Sequence, residues 1–131
     1  MTTLQELHPV TGRCACGRVT YECAIESEVA LCSCDICRRS AGSAFQAWVN
    51  GARSSLATHG EMDSWASTDH ATRHFCRACG TTLLLFERDE PEVVEVAAGT
   101  IDGPDGIVSS RISRAYEHKR PRWGMGGADR R

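Results

Sequence analysis

Seven of the eight cysteines lie in short, regularly spaced groups, and thiolates at such spacings are the usual ligands of zinc in proteins. The groups are a C-x-C pair at Cys14 and Cys16, a C-x-C-x-x-C triplet at Cys32, Cys34 and Cys37, and a C-x-x-C pair at Cys76 and Cys79. Cys23 stands apart in the alternating stretch VTYECAI, where a small buried hydrophobic side chain is expected. The pattern predicts at least one zinc ion rather than disulfides.

The two pairs together supply the four ligands of a closed site. Gly80 follows Cys79 and Gly17 follows Cys16, and glycine suits the tight turn that a metal site requires. Residues two apart in an extended chain face the same side, so Cys14 and Cys16 are expected to reach one ion. We predict a structural zinc held by Cys14, Cys16, Cys76 and Cys79.

The triplet leaves a zinc with three protein ligands and one open position, which is the arrangement of catalytic zinc sites. A short helix beginning near Asp35 would bring the last two thiols together. Two other interpretations stay open: Cys23 could complete a second closed site, or the three thiols could be reactive without metal. The candidate cations close to the triplet, or to the strand after it, are Arg38, Arg39 and Arg53.

The rest of the chain must position these groups. It has 131 residues and a formal net charge of −2, which gives no global attraction to nucleic acid or to an anionic membrane. We expect one zinc-binding β domain over residues 1–123 and a disordered tail over 124–131. Neither a secretory signal nor an apolar stretch of about 20 residues is visible, so a cytoplasmic protein is expected.

Short runs rich in β-branched, aromatic and aliphatic residues alternate with turn residues along the chain. They are RVTYECAI, SAFQAWVN, TRHFC, TTLLLF and EVVEVAAG. No long stretch has helical periodicity. A mainly β fold of short antiparallel strands follows.

The order of four motifs resembles the glutathione-dependent formaldehyde-activating enzyme family, which includes the centromere protein V-like proteins. The motifs are C-x-C-G, C-x-C-x-x-C-R-R-x-x-G, F-x-x-W-V and F-C-x-x-C-G-T-x-L, between about Arg13 and Phe86. The resemblance implies a β-tent fold with two zinc ions. It implies structural ligands at Cys14, Cys16, Cys76 and Cys79 and catalytic ligands at Cys32, Cys34 and Cys37.

The activity that the resemblance implies adds formaldehyde to the thiol of glutathione and gives S-hydroxymethylglutathione, a carbon–sulfur lyase reaction in reverse. Ser33 stands where the family commonly has a histidine, and Arg114 where a histidine often begins the last strand. Because serine and arginine, unlike histidine, do not exchange a side-chain proton near neutral pH, we expect a small thiol such as glutathione to bind but formaldehyde turnover to be weak or absent.

A non-catalytic zinc protein is the alternative. The segment from Arg111 onward has a local excess of basic residues that could contact a protein partner or nucleic acid. Nucleic acid is the less expected partner because the whole chain is acidic and has no recognition motif.

Overall fold

The computed structural model describes residues 3–103 and 111–124. Within these ranges the chain forms nine β-strands, one α-helix and three short 3₁₀ turns. The elements are β1 (His8–Arg13), β2 (Thr20–Cys32), α1 (Asp35–Ala41), β3 (Gln46–Ala52), β4 (Ala57–His59), β5 (Met62–Ala66), β6 (Ala71–Cys76), β7 (Thr82–Glu87), β8 (Val93–Ala97) and β9 (Ile112–Ala115), with 3₁₀ turns at Arg53–Ser55, Ala98–Thr100 and Glu117–Lys119.

The strands form one sheet in the order β1-β2-β3-β8-β7-β6-β5, with β4 and β9 also pairing with β2. All pairings are antiparallel except β2 with β9. The register of β2 against β3 shifts between Ile25 and Val29. Strands β1 and β4 pair with the first part of β2, β9 pairs with its last four residues, and β3 pairs with Ile25 and with Val29–Cys32.

Side-chain alternation along the central strands fills both faces of the sheet. Val49 and Val96 belong to the main hydrophobic cluster, whereas their chain neighbours Trp48 and Ala97 belong to a second cluster on the opposite face. The second cluster also contains Cys37, so it lies under helix α1. The three-cysteine motif is therefore anchored on the face that carries Trp48.

The predicted mainly β fold is confirmed, and the five predicted runs correspond to β2, β3, β6, β7 and β8. The strands β1, β4, β5 and β9 were not predicted. β4 is exposed throughout and β9 has no buried residue, so neither strand carries an alternating apolar pattern in its sequence. Across the described residues, no helix has the length and apolar character needed to cross a bilayer.

Candidate metal centres and the adjoining cavity

The first candidate centre joins two turns that lie about sixty residues apart in the sequence. The sulfur atoms of its four cysteines, Cys14, Cys16, Cys76 and Cys79, all lie within 4.8 Å of one another. Cys16 Sγ is 3.6 Å from Cys14 Sγ and 3.8 Å from Cys76 Sγ. Four zinc–sulfur bonds of about 2.3 Å in a tetrahedron would place the sulfurs about 3.8 Å apart, so the donor set fits zinc.

Backbone turns, rather than an extended strand, bring these thiols together. Cys14 and Cys16 lie just after β1, in a turn closed by the Gly17 N–H bond to the Cys14 carbonyl, with Gly17 at φ 81°. The premise that Cys14 and Cys16 meet the ion from an extended chain was therefore wrong. Gly80, at φ 80°, closes the second turn by donating to the Cys76 carbonyl.

Hydrogen-bond donors lie next to several of these sulfurs, and such donors favour the thiolate, the form that binds metal. The N–H of Val19 donates to Cys14 Sγ at 3.3 Å, and the N–H of Cys79 donates to Cys76 Sγ at 3.4 Å. A hydrogen bond with the Thr81 hydroxyl, 3.1 Å away, lowers the pKa of Cys79 to about 5. A backbone hydrogen bond from Arg18 lowers the pKa of Cys16, but burial and the neighbouring thiols raise it to about 11. Negative charge is thus favoured at Cys14 and Cys79 and disfavoured at Cys16.

The second candidate centre lies where β2 passes into α1. The sulfurs of Cys32, Cys34 and Cys37 are within 4.8 Å of one another. Cys32 ends β2, and Cys34 is the N-cap of α1, where its sulfur accepts the N–H of Cys37 at 3.4 Å. The helix ends at Gly42, whose φ of 62° suits glycine. The predicted short helix at Asp35 is present, and its start brings Cys34 and Cys37 close to Cys32 at the end of β2.

Cys23 belongs to neither centre. It is buried in the main hydrophobic cluster, and its sulfur lies 3.6 Å from the Ser55 hydroxyl. Burial raises the pKa of the Cys23 thiol. Cys23 therefore does not complete a second closed site with the triplet. It is a small buried side chain in the hydrophobic core, as expected.

A cavity of about 560 Å³ adjoins the three-cysteine centre. The three cysteines form one wall, and Trp48, Arg73 and Glu95 form the sheet side. Tyr116 and Lys119 line it from the C-terminal segment. Lys119 also makes an ion pair with Asp35 of α1 at 3.4 Å, which links that segment to the helix.

Strand register explains why polar groups face this cavity. Arg73 on β6 pairs with Leu85 on β7, Leu85 pairs with Glu95 on β8, and Glu95 pairs with Asn50 on β3. Residues paired in register point to the same face, so the four form a row across the sheet. Strands lie about 4.8 Å apart, so the backbones of Arg73 and Glu95 are about 10 Å apart.

Arg73 is the buried cation of the cavity, with 4% of its surface exposed. Its Nη2 donates to Cys37 Sγ at 3.3 Å, and its guanidinium lies 5.5 Å from the centre of the Trp48 ring. The pKa of Cys37 is lowered to about 5, first by the hydrogen bond from Cys32 and further by Arg73. Arg73 Nε and Nη1 are buried and have no hydrogen-bond partner among the described residues.

Glu95 supplies a titrating carboxyl on the same face. Burial raises its pKa to about 7, and the negative charges of Glu87 and Cys37 add to the shift. A carboxyl of this kind is protonated in part of the molecules at neutral pH and can both give and take a proton.

The cations predicted from sequence lie elsewhere. Arg38 bonds to Asp35 and to the carbonyl of Ser33, Arg39 is exposed, and the Arg53 guanidinium lies 4.5 Å from the Phe86 ring centre. None of these three lines the cavity. Arg73 and Glu95 were missed. One feature of the sequence could have identified them. In both cases a charged residue occupies a strand position that alternation assigns to a buried face.

Two residues close in sequence to the cysteines, His74 and Ser33, make packing and backbone contacts. His74 makes an edge contact with Phe86, at 4.9 Å between ring centres, and no bond to a sulfur is found for it within the described part of the chain. Ser33 is buried at 1% exposure, and its N–H donates to the Ala115 carbonyl at 3.0 Å. Ser33 thus helps to extend the pairing of β2 with β9.

The basic C-terminal segment belongs to the fold as far as residue 124. Strand β9 pairs with β2, and Arg111 makes an ion pair with Glu28 at 2.9 Å. Arg120 pairs with Glu117, also at 2.9 Å. Acidic neighbours therefore offset part of the predicted positive excess. Beyond Gly124, the predicted disordered tail lies outside the described residues. The expectation that nucleic acid is not the main partner stays a prediction.

Three comparisons place the chain among known proteins. The sequence profile of the glutathione-dependent formaldehyde-activating enzyme family matches residues 9–116. A Halomonas elongata protein, provisionally named a glutathione-dependent formaldehyde-activating enzyme, is 31% identical over 124 residues, covering 86% of this chain and 77% of that protein. An uncharacterized lyase of Schizosaccharomyces pombe is 33% identical over 75 residues, covering 56% of this chain and 55% of that protein.

A solved structure supports the fold. The crystal structure of a Rhodobacter sphaeroides protein superposes with a TM-score of 0.66 at 23% identity, covering 80% of this chain and 99% of that one. The profile match extends from within β1 to just past β9 and includes both cysteine centres. The chain belongs to the glutathione-dependent formaldehyde-activating enzyme family.

Proposed function

We propose that the protein is a zinc-dependent enzyme of the carbon–sulfur lyase type that acts on a thiol adduct, with S-hydroxymethylglutathione as the model substrate. The observation that carries the proposal is the three-thiol wall of the 560 Å³ cavity. Small-molecule sites typically have volumes of about 300–1,000 Å³, so a tripeptide thiol could enter.

The two centres are proposed to differ in role. Cys14, Cys16, Cys76 and Cys79 would hold a structural zinc with no open position. Cys32, Cys34 and Cys37 would hold a second zinc whose fourth position faces the cavity. A reducing compartment, such as the cytoplasm, would keep all seven thiols available.

The charge around the triplet supports a thiol as the incoming ligand. Zinc at this centre would keep a bound thiol deprotonated at neutral pH. Three thiolates and one zinc ion carry a net charge of −1, which the Arg73 guanidinium beside Cys37 brings to zero. A thiolate-rich site is soft and favours another sulfur ligand over water or carboxylate.

The proposed reaction balances with the groups in the cavity. In the synthetic direction, a thiolate sulfur attacks the aldehyde carbon and a C–S bond forms. The carbonyl π electrons move to oxygen, and the resulting alkoxide takes a proton. Glu95 can donate that proton near neutral pH, and the proton that the incoming thiol loses on becoming a thiolate returns, directly or through solvent, to Glu95. In the reverse direction both transfers run the other way. This carboxyl fills the role that Ser33 cannot perform, so the lack of a histidine at position 33 does not by itself prevent turnover.

Substrate carboxylates would find a cation near the opening of the cavity. Lys119 lines the cavity and is about 40% exposed. Its ion pair with Asp35 leaves two of the three ammonium protons available for other partners. We propose Lys119, rather than Arg38, Arg39 or Arg53, as the first contact for an acidic thiol.

Titration of glutathione into the cobalt(II)-substituted protein tests the proposal. We expect a saturable change in the cobalt absorption spectrum that requires the triplet and disappears in Cys34→Ala. A matched control is Cys23→Ala, which removes a buried thiol that lies in neither centre. A spectrum that glutathione leaves unchanged would favour the alternative, a zinc-binding protein without catalysis.

A further inference from the structure

The guanidinium of Arg73 has binding capacity that the protein itself does not use. Of its three nitrogens, only Nη2 has a hydrogen-bond partner, the sulfur of Cys37, while Nε and Nη1 have none among the described residues. Leaving buried donors of a charged group unpaired costs stability. Two unpaired donors on a cation in the wall of a cavity therefore point to a ligand that supplies the missing acceptors.

Neighbouring acids do not supply them. No ion pair between Arg73 and either Glu95 or Glu87 is found in the part of the chain that the structure describes, although both acids line the same cavity. Leu85 separates Arg73 from Glu95 in the row across the sheet. Burial keeps Glu95 partly neutral by raising its pKa to about 7, which limits how far it offsets the charge of Arg73.

The position of Arg73 defines which ligand atom it could reach. Its Nη2 lies 3.3 Å from Cys37 Sγ, so the guanidinium is adjacent to the thiol triplet. A sulfur entering beside these thiols would bring the atoms attached to its first carbon towards Arg73. The Trp48 ring, 5.5 Å from the guanidinium carbon, limits the freedom of the cation.

We propose that Arg73 is a substrate-binding residue that recognises an anionic oxygen on the carbon chain next to the reacting sulfur. This inference rests on the proposed function. The oxygen would be the alkoxide that forms when a thiol adds to an aldehyde, or the carboxylate of a thiol that carries one. A planar guanidinium suits both, because its N–H groups form charge-assisted hydrogen bonds with oxygen anions.

Two small thiols of nearly equal size separate this role from simple thiol binding. Mercaptoacetate carries a carboxylate where mercaptoacetamide carries a neutral amide. Each is titrated into the cobalt(II)-substituted protein and followed by the absorption spectrum. The preference for the carboxylate is the Kd of mercaptoacetamide divided by the Kd of mercaptoacetate. We expect this ratio to be about tenfold larger in wild type than in Arg73→Gln. Thiol acidity and chelation to cobalt are common to both proteins and cancel in this double ratio.

Two further variants keep the result interpretable. Arg73→Lys retains the charge without the planar fork and should keep part of the preference. Arg39→Gln removes an exposed arginine that does not line the cavity and should keep all of it. If Arg73→Gln does not fold, the comparison of wild type with Arg73→Lys still decides, because an unchanged preference in that variant overturns the role of the guanidinium.

The possible results distinguish the role of Arg73 from the proposed thiol-binding function on which it rests. Binding of both thiols with the same preference in wild type and in Arg73→Gln would overturn the role of Arg73 and leave the thiol-binding site intact. Failure of both thiols to change the spectrum of wild type would overturn the proposed function as well.

Discussion

Glu95 is a carboxyl whose charged form is disfavoured by its position. Its strand neighbours Val94 and Val96 are buried in the main cluster, and it faces the cavity on the other side of the sheet. Its pKa rises from the ordinary value of 4.5 to about 7 because of burial and the nearby negative charges of Glu87 and Cys37. This shift couples the stability of the fold to pH.

The Glu95→Gln variant should therefore gain stability over wild type as pH rises. Between pH 4.5 and pH 7 the folded state binds more protons at Glu95 than the unfolded state, so the contribution of Glu95 to stability falls through that window. The advantage of Glu95→Gln should grow by roughly 2 kcal/mol from pH 5 to pH 8. Urea denaturation of the zinc-loaded proteins measures it, with the exposed Glu92→Gln as control. A pH-independent difference would contradict the shift.

At the residue scale, the sequence was sufficient to predict which cysteines group together. It was not sufficient to predict the charged residues around them. Ligand spacing is a local property of the chain, so the two pairs and the triplet could each be recognised from spacing. The two pairs could be joined into one centre because a closed zinc site needs four ligands. Arg73 and Glu95 come from strands β6 and β8, and only the register of the sheet places them beside Cys37. Register depends on contacts between distant parts of the chain, which residue types in one segment do not specify.

The closed centre connects elements that would otherwise meet only through the sheet. It joins the turn after β1 to the turn between β6 and β7. Two of its cysteines, Cys14 and Cys76, are buried in the main hydrophobic cluster. Metal binding at this centre should therefore be tightly linked to folding.

Loss of a ligand should affect stability differently at the two centres. Cys79→Ala removes a ligand of the closed centre and should cost a large part of a zinc-binding free energy on the order of 10 kcal/mol. Cys34→Ala should lose the second metal but remain folded, because the triplet lies at the edge of the cavity. Thermal unfolding and metal analysis of both variants provide the test. An equal loss of thermal stability would contradict the division of roles.

The link between β4 and β5 requires a glycine at residue 60. Gly60 has φ 100°, and a Cβ there would lie 2.1 Å from the Arg18 carbonyl oxygen, a backbone atom that cannot easily move. Gly60→Ala should lower the free energy of unfolding by about 1–3 kcal/mol or more. Gly99→Ala is the matched control, since a Cβ there meets nothing within 4 Å. Equal stability of the two variants in urea denaturation would contradict the packing at Gly60.

At the element scale, strands with buried alternating residues were predictable and exposed strands were not. β8 has four buried residues among five and was identified from VVEV, whereas β4 is exposed throughout and depends on pairing with β2 for its conformation. The short helix α1 was predictable because its first turn carries two of the clustered cysteines.

The whole molecule combines a four-cysteine centre, a three-cysteine centre and a cavity shared by several elements. The cavity draws residues from β2, α1, β3, β6, β7, β8 and the segment after β9. Because β9 pairs with β2 and the segment after it lines the cavity, removing the chain after Ser110 would disturb the site as well as the basic residues. The C-terminal segment is thus part of the candidate active site.

Exchange NMR of glutathione and formaldehyde with the zinc-loaded protein tests the central claim most directly. The proposed function predicts that interconversion of free glutathione and S-hydroxymethylglutathione is faster than the uncatalysed rate. Cys34→Ala should abolish the acceleration, and Glu95→Gln should reduce it by roughly 10²-fold or more if Glu95 transfers the proton. Cys23→Ala should preserve it. Exchange at the uncatalysed rate in wild-type protein carrying two zinc ions would contradict the proposed function.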